Sequence, residues 1–93
     1  MNNEILNIRG IKVIVDRDLA ALCQVETKAL NQTVKRHIEL FSEIDRFQLN
    51  DEEMQELVTS YDRFKNLKHS TNPPFVFTKK GISVLSKILK KKH

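Results

Sequence analysis

Amide and cationic side chains recur at helical spacing between residues 27 and 36. Lys28, Gln32, Lys35 and Glu39 follow one another at intervals of four, three and four residues, so on a helix they form one stripe. Asparagine and glutamine can bond the edge of adenine, and lysine can bond the edge of guanine. Cations further along the same stripe suit phosphates, which position a protein without being read as sequence. The stretch therefore contains the donors and acceptors that a reader of duplex DNA needs.

The role of each side chain follows from its position on this helix. Lys28, Asn31 and Gln32 are the base-edge candidates, because a recognition helix presents its early residues to the major groove. Lys35 and Arg36 are assigned to phosphates. Two further groups are also assigned to phosphates. They are Thr27 at the helix N-terminus and four lysines late in the chain, Lys79, Lys80, Lys90 and Lys91. Periodicity alone fits an ordinary amphipathic helix with a solvated outer side equally well.

Two helices are predicted within Leu19 to Arg36, joined at residues 24–26. The second runs from residue 26 or 27 to about residue 40, and its inward side is Leu30, Val34, Ile38 and Phe41. Gln24 stands at the turn, where helix-turn-helix units usually have glycine. A left-handed conformation costs a non-glycine residue roughly 1 kcal/mol. The turn is therefore the point that tests the prediction.

Short strands and two further helices are predicted around this pair. Ile5 to Ile8 and Ile11 to Val15 form a hairpin, with Gly10 in its turn. Asp16 is predicted to cap the first helix, whose inward residues by spacing are Leu19, Leu22 and Cys23.

The second half of the chain alternates strands and helices. Residues 46–49 predict a strand, and Asn50 with Glu53 predicts a capping box at the start of a third helix. Residues 62–74 are predicted to be a loop, followed by a strand at 75–77 and a last helix capped by Thr78. The expected fold is one α+β domain over residues 1–93. It has an N-terminal β-hairpin, a helix-turn-helix-like pair, short strands and two supporting helices, and is winged-helix-like.

Charge is distributed unevenly along the chain. Residues 1–50 contain seven Lys/Arg and seven Asp/Glu, whereas residues 63–93 contain nine Lys/Arg and no acid. A basic excess at one end, in a chain of net charge +4, indicates an anionic partner. Nucleic acid is the first candidate and an acidic membrane surface, bound by a helix over 79–92, is the least favoured. A basic tail that only aids solubility is the simpler alternative.

Catalytic and metal chemistry find no support in the sequence. It has no phosphate-binding glycine loop and no nucleophile elbow. The single cysteine, Cys23, excludes an intrachain disulfide and a cysteine-based metal site. No apolar run reaches the ~18 residues of a membrane span. We therefore expect no enzyme, no cofactor, no metal and no membrane insertion, in a cytoplasmic protein.

Three blocks of sequence, in this order, resemble one known family. They are IRGIKVIVDRDLAALCQVETKALNQTVKRHIELF, RFQLNDEEMQEL and PFVFTKKGISVLS. They look like the N-terminal DNA-binding domain of phage antirepressor-type proteins, the ORF-six-N family, which is related to KilA-N domains. The resemblance implies a DNA-binding domain of phage, prophage or mobile-element origin. The chain departs from the family pattern at Gln24, where glycine is common, at Ser42, where proline is usual, and at Lys79-Lys80, where an acidic/amide pair is usual.

The resemblance leaves the partner open. Double-stranded DNA is the first candidate, in transcriptional control or antirepression. The alternative is a protein-interaction module, since an antirepressor can occupy a repressor protein instead of an operator. A homodimer is also open, although no heptad pattern indicates one. Domains of this kind are often followed by a second region, so the chain is either a minimal form or a fragment.

Overall fold

The computed structural model describes residues 5–62, 64–65 and 73–90, with only the backbone described at residue 90. Within these ranges the chain forms four strands and four α-helices. They are β1 (Ile5–Ile8), β2 (Ile11–Val15), α1 (Asp16–Leu22), α2 (Thr27–Arg36), β3 (Arg46–Gln48), α3 (Asp51–Ser60), β4 (Phe75–Thr78) and α4 (Lys79–Lys90). The strands form one antiparallel sheet in the order β1-β2-β4-β3. The predicted α+β class is confirmed.

The predicted hairpin is confirmed, and its turn has the conformation that favours glycine. Arg9 and Gly10 have φ values of 56° and 74°, so both central residues are left-handed, as in a type I′ turn. The Arg9 guanidinium donates to both carboxylate oxygens of Glu53, at 2.6 and 2.9 Å. It also lies 4.4 Å from the centre of the Phe47 ring. These contacts tie the hairpin tip to the start of α3.

Side chains alternate across the sheet and build a core on each face. In β2, Val13 and Val15 point to one face while Ile14 points to the other. On the first face α3 and a short turn pack against the sheet through Leu6, Val13, Val15, Leu49, Leu57, Phe64 and Val76. On the second face α1, α2 and α4 pack through Ile14, Leu19, Ala20, Leu30, Val34, Phe77 and Leu85. Helices α1 and α2 are therefore held in one layer with α4.

Two helix starts in the second half of the chain are capped as predicted. The Glu53 amide donates to the Asn50 side chain, and the Asn50 amide donates to the Glu53 carboxylate, which completes a capping box. The Thr78 hydroxyl accepts a hydrogen bond from the Gly81 amide at the start of α4. The Thr78 amide donates to the Asp45 carbonyl at 3.0 Å. A Cβ atom on Gly81 would overlap that same carbonyl oxygen, so only glycine fits at the third residue of α4.

Three details of the predicted helices are wrong. Asp16 is the first residue of α1 and not its cap, because Val15 occupies the N-cap position. Leu22, predicted to face inward, is 59% exposed. Helix α2 ends at Arg36 instead of near residue 40, and Ile38, in a 3-10 turn that follows, is 48% exposed.

The segment predicted as a loop, residues 62–74, is only partly described. Phe64 lies in a short 3-10 turn and is fully buried against α3, which the loop prediction missed. Residues 63 and 66–72 lie outside the described residues. No helix in the described ranges is long and apolar enough to cross a membrane.

Candidate nucleic-acid interface

The turn between α1 and α2 has the left-handed conformation for which helix-turn-helix units usually use glycine. Gln24 has a φ of 60°, although it is not glycine. The Gln24 amide donates to the Ala21 carbonyl at 3.1 Å, and the Val25 amide donates to the Ala20 carbonyl at 3.0 Å. This pair of bonds is the Schellman arrangement, which satisfies carbonyls that a helix end leaves free. The turn therefore fixes where α2 leaves α1, with the small Ala20 buried beside it.

The two sides of α2 differ as the helical spacing predicts. Leu30 and Val34 are completely buried in the core that α2 shares with α1 and α4. On the opposite side Lys28 and one continuous group, Gln32, Lys35 and Arg36, are exposed. That group lines one open depression on the surface. The buried side chains thus pack α2 against the core, and the side chains of the candidate stripe face solvent.

The amino end of α2 is not capped by its own N-cap side chain. Glu26 occupies that position in an extended conformation and makes no side-chain cap hydrogen bond. The first turn of α2 contains no acid and begins with the half-buried Thr27. An uncapped helix start presents free amides and the positive end of the helix dipole. This arrangement suits an oxyanion next to Thr27 and Lys28.

Asn31 lies differently from the other base-edge candidates. Its Nδ2 donates to the Asp16 carboxylate at 2.9 Å. Its Oδ1 is buried and has no hydrogen-bond partner within the described part of the chain. In this conformation the amide oxygen cannot accept a bond from a base. The structure therefore separates Asn31 from the exposed stripe with which the sequence groups it.

The family of the chain is given by a match over most of its length. The model of the ORF6N domain matches residues 3–88. The chain belongs to the ORF6N domain family. This confirms the resemblance to the ORF-six-N family that the three sequence blocks carry. Comparison with curated proteins and with solved structures gives no match.

The late lysines of this ORF6N domain are only partly placed. Lys79 and Lys80 are exposed and form the first turn of α4, which shares the core of α2. The side chain of Lys90 and the whole of Lys91 lie outside the described residues. Two cations at the amino end of a helix oppose the helix dipole, which disfavours them when no anion is near.

Two residues of the ORF6N domain were missed by sequence reasoning. Asp16, predicted only as a cap, is 7% exposed, and its carboxylate accepts a hydrogen bond from Asn31 of α2. Arg46 lies 3.7 Å from the centre of the Phe75 ring. Burial lowers the pKa of the Arg46 guanidinium, and the nearby charge of Asp16 opposes that shift. In the sequence, Asp16 and Arg46 are polar residues beside apolar ones. That pattern is too common to show that the two side chains lie near each other.

Among the residues described, none of the His, Cys, Asp and Glu side chains form a group that could hold a metal ion. His37 instead pairs its Nδ1 with the Thr33 carbonyl oxygen at 3.0 Å. Burial raises the pKa of the Cys23 thiol, which lies half-buried against the core of α1 and α2. These residues are accounted for by contacts within the fold, and the candidate interface consists of the outer side and amino end of α2.

Proposed function

We propose that this ORF6N domain binds double-stranded DNA without enzymatic activity, as part of a phage or prophage transcriptional regulator or antirepressor. In this proposal α2 lies in the major groove. The observation that carries it is the exposed stripe from Lys28 to Arg36 on a helix whose other side is fully buried. A left-handed turn at Gln24 precedes that helix, at the position where helix-turn-helix units usually have glycine.

The position of each exposed side chain suggests a role in the complex. Lys28 and Gln32 are one turn apart near the start of α2, where a recognition helix meets base edges. Lys35 and Arg36 lie in the last turn and suit phosphates on either side of the groove. A further phosphate beside Thr27 would accept bonds from the uncapped amides.

Charge supports DNA over a neutral partner. Six exposed cations of the described residues lie on α2 and α4: Lys28, Lys35, Arg36, Lys79, Lys80 and Lys87. A phosphate beside α4 would offset the unfavourable placement of two lysines at the positive end of that helix. Neutralising about four to six phosphates predicts that log K falls with log salt at a slope near −4 to −5.

The proposal is tested by selecting a site from a random pool of duplex DNA and measuring affinities by fluorescence anisotropy. Gln32→Ala and Lys28→Ala should each cost about 1–3 kcal/mol and relax base preference at one position. Lys35→Ala should weaken all sequences alike and reduce the salt slope by about one. Lys65→Ala is the matched control, because Lys65 follows the buried Phe64 on the opposite face of the sheet. A domain that binds no duplex DNA even at low salt would refute the proposal.

The second candidate is a protein-interaction module that sequesters a repressor. The segment after α2 exposes three large aliphatic residues within seven positions, Ile38, Leu40 and Ile44. The exposed acids Glu39 and Glu43 lie among them, and phosphates would repel those carboxylates. Exposed aliphatic groups of this kind are typical of protein interfaces.

The two candidates separate in one experiment. Co-purification of a repressor that survives nuclease treatment, together with no DNA shift, would favour the protein partner. Leu40→Asp should abolish that co-purification and leave a DNA complex unaffected, whereas Lys28→Ala should do the reverse. Loss of DNA binding in Leu40→Asp, with a normal melting temperature, would mean that the two surfaces are not independent.

A further inference from the structure

A polar contact joins the first residue of α1 to the middle of α2. The Asn31 Nδ2 donates to the Asp16 carboxylate at 2.9 Å, across 15 residues of sequence. Asp16 is 7% exposed, so this bond forms largely out of water. Hydrogen bonds to charged groups are the stronger class, and a buried carboxylate that loses its donor is costly.

The surroundings of this contact orient both side chains. Asp16 lies close enough to Arg46 for its charge to act on that guanidinium, which is stacked on Phe75 at 3.7 Å. The Arg46 Nε and the Asn31 Oδ1 are both buried and unpartnered within the described part of the chain. With Oδ1 enclosed, the Asn31 amide is turned toward α1 and away from the outer side of α2.

We propose that Asp16 and Asn31 form a latch that sets the orientation of α2, so that Asn31 positions the recognition helix and does not read a base. The inference rests on the proposed DNA binding and assigns Asn31 a different part in it. The buried side of α2 is apolar apart from Thr33, and apolar packing is not directional. The Asp16–Asn31 bond is directional and fixes the rotation of α2 on its core, and hence the direction of Lys28 and Gln32.

The consequence for binding follows from the population of the correctly oriented helix. When only a fraction of molecules is competent, the apparent dissociation constant rises in inverse proportion to that fraction. One hydrogen bond to a carboxylate is worth about a tenfold change in such an equilibrium. A tenfold fall in this equilibrium constant lowers the competent fraction by at most tenfold, so loss of the latch should weaken the binding of every sequence by up to about tenfold, without changing which bases are preferred.

Exchange of the two side chains is the decisive variant. Asp16→Asn combined with Asn31→Asp reverses the direction of the bond and keeps both its shape and the net charge of the protein. Asn31→Asp alone places two carboxylates together, and like charges at hydrogen-bond distance repel each other. The exchanged protein should therefore melt at a higher temperature than Asn31→Asp and bind the selected DNA site close to the wild-type affinity.

Base preference distinguishes a positioning residue from a reading one. Asn31→Ala should weaken binding by up to about tenfold with unchanged preferences, whereas the control Gln32→Ala relaxes preference at one position. The latch is overturned if Asn31→Ala relaxes a single position, or if the exchange loses preference there. If Asn31→Ala does not fold, the exchanged protein alone decides, because an aspartate at position 31 could not donate a hydrogen bond to a base.

Failure of the latch and failure of the proposed function give different results. The melting temperatures of wild type, both single variants and the exchange form a cycle that requires no DNA. If no duplex binds, that cycle still measures the coupling between positions 16 and 31. A cycle without coupling overturns the latch even where the wild type binds DNA.

Discussion

Gln24→Gly should stabilise the domain, because Gln24 holds a left-handed conformation at φ 60° in the turn between α1 and α2. That conformation costs a residue with a Cβ atom about 1–2 kcal/mol. The greater freedom of glycine in the unfolded chain takes back about 0.4–1 kcal/mol. The net gain should be about 0.5–1 kcal/mol, which raises the melting temperature of a domain of this size by roughly 2–8 °C. Thermal denaturation followed by circular dichroism measures it.

Two controls isolate the backbone conformation from the change of side chain. Gln24→Ala removes the same exposed side chain but keeps the Cβ atom, so its melting temperature should stay close to that of the wild type. Gln32→Gly makes the same substitution at an exposed right-handed position inside α2 and should destabilise by about 1 kcal/mol. If Gln24→Gly melts no higher than Gln24→Ala, the turn does not store the strain inferred from its geometry.

Other contacts make shorter predictions. Gly81→Ala should lower the melting temperature, at a cost of about 1–3 kcal/mol, since its Cβ would overlap the Asp45 carbonyl. The bond from Arg9 holds the pKa of Glu53 below its ordinary value, so its stabilisation is complete above that ordinary value. It is lost as the pH falls through the lowered pKa, and Glu53→Gln should flatten the acid side of a plot of melting temperature against pH. Cys23, whose pKa burial raises, should react with a thiol reagent more slowly at pH 8 than in denaturant.

Features set by neighbouring residues were predicted well from the sequence. The turn at Arg9 and Gly10 requires only two residues that tolerate positive φ between two apolar strands. The capping box from Asn50 to Glu53 is complete within four residues. In both cases the atoms that form the structure are close in sequence, so residue type and spacing are sufficient evidence.

Features set by distant residues were not predicted. The sequence around Asp16 satisfies the local rule for a cap, but its carboxylate bonds Asn31, which only the packing of α1 against α2 brings near. Leu22 has the spacing of a buried residue, yet its side chain is exposed. The chain turns at Gln24, and the neighbouring helices cover Leu19 but not Leu22. Phe64 follows no periodic pattern and is buried because α3 and the sheet leave room for it.

The candidate site shows the same division. The helical wheel predicts the exposed stripe correctly, since exposure there depends on the apolar spacing of Leu30 and Val34 on the opposite side. The wheel places Asn31 at the edge of that stripe, where helical periodicity does not show whether a side chain faces solvent or a neighbouring helix. The buried carboxylate of Asp16 decides it, and no pattern within α2 contains that information.

Several departures from local structural rules lie in the α1–α2 pair. It contains the left-handed Gln24, an amino end of α2 without a side-chain cap, and a buried carboxylate bonded to an amide. Elsewhere α3 begins with a complete capping box, whereas the hairpin turn also holds a non-glycine residue, Arg9, in the left-handed conformation. Proteins tolerate such departures mainly at functional sites, where geometry is selected over stability. Because glycine relieves the strain at Gln24 and keeps the left-handed turn, Gln24→Gly should stabilise the domain without changing the choice of DNA site under the proposed function.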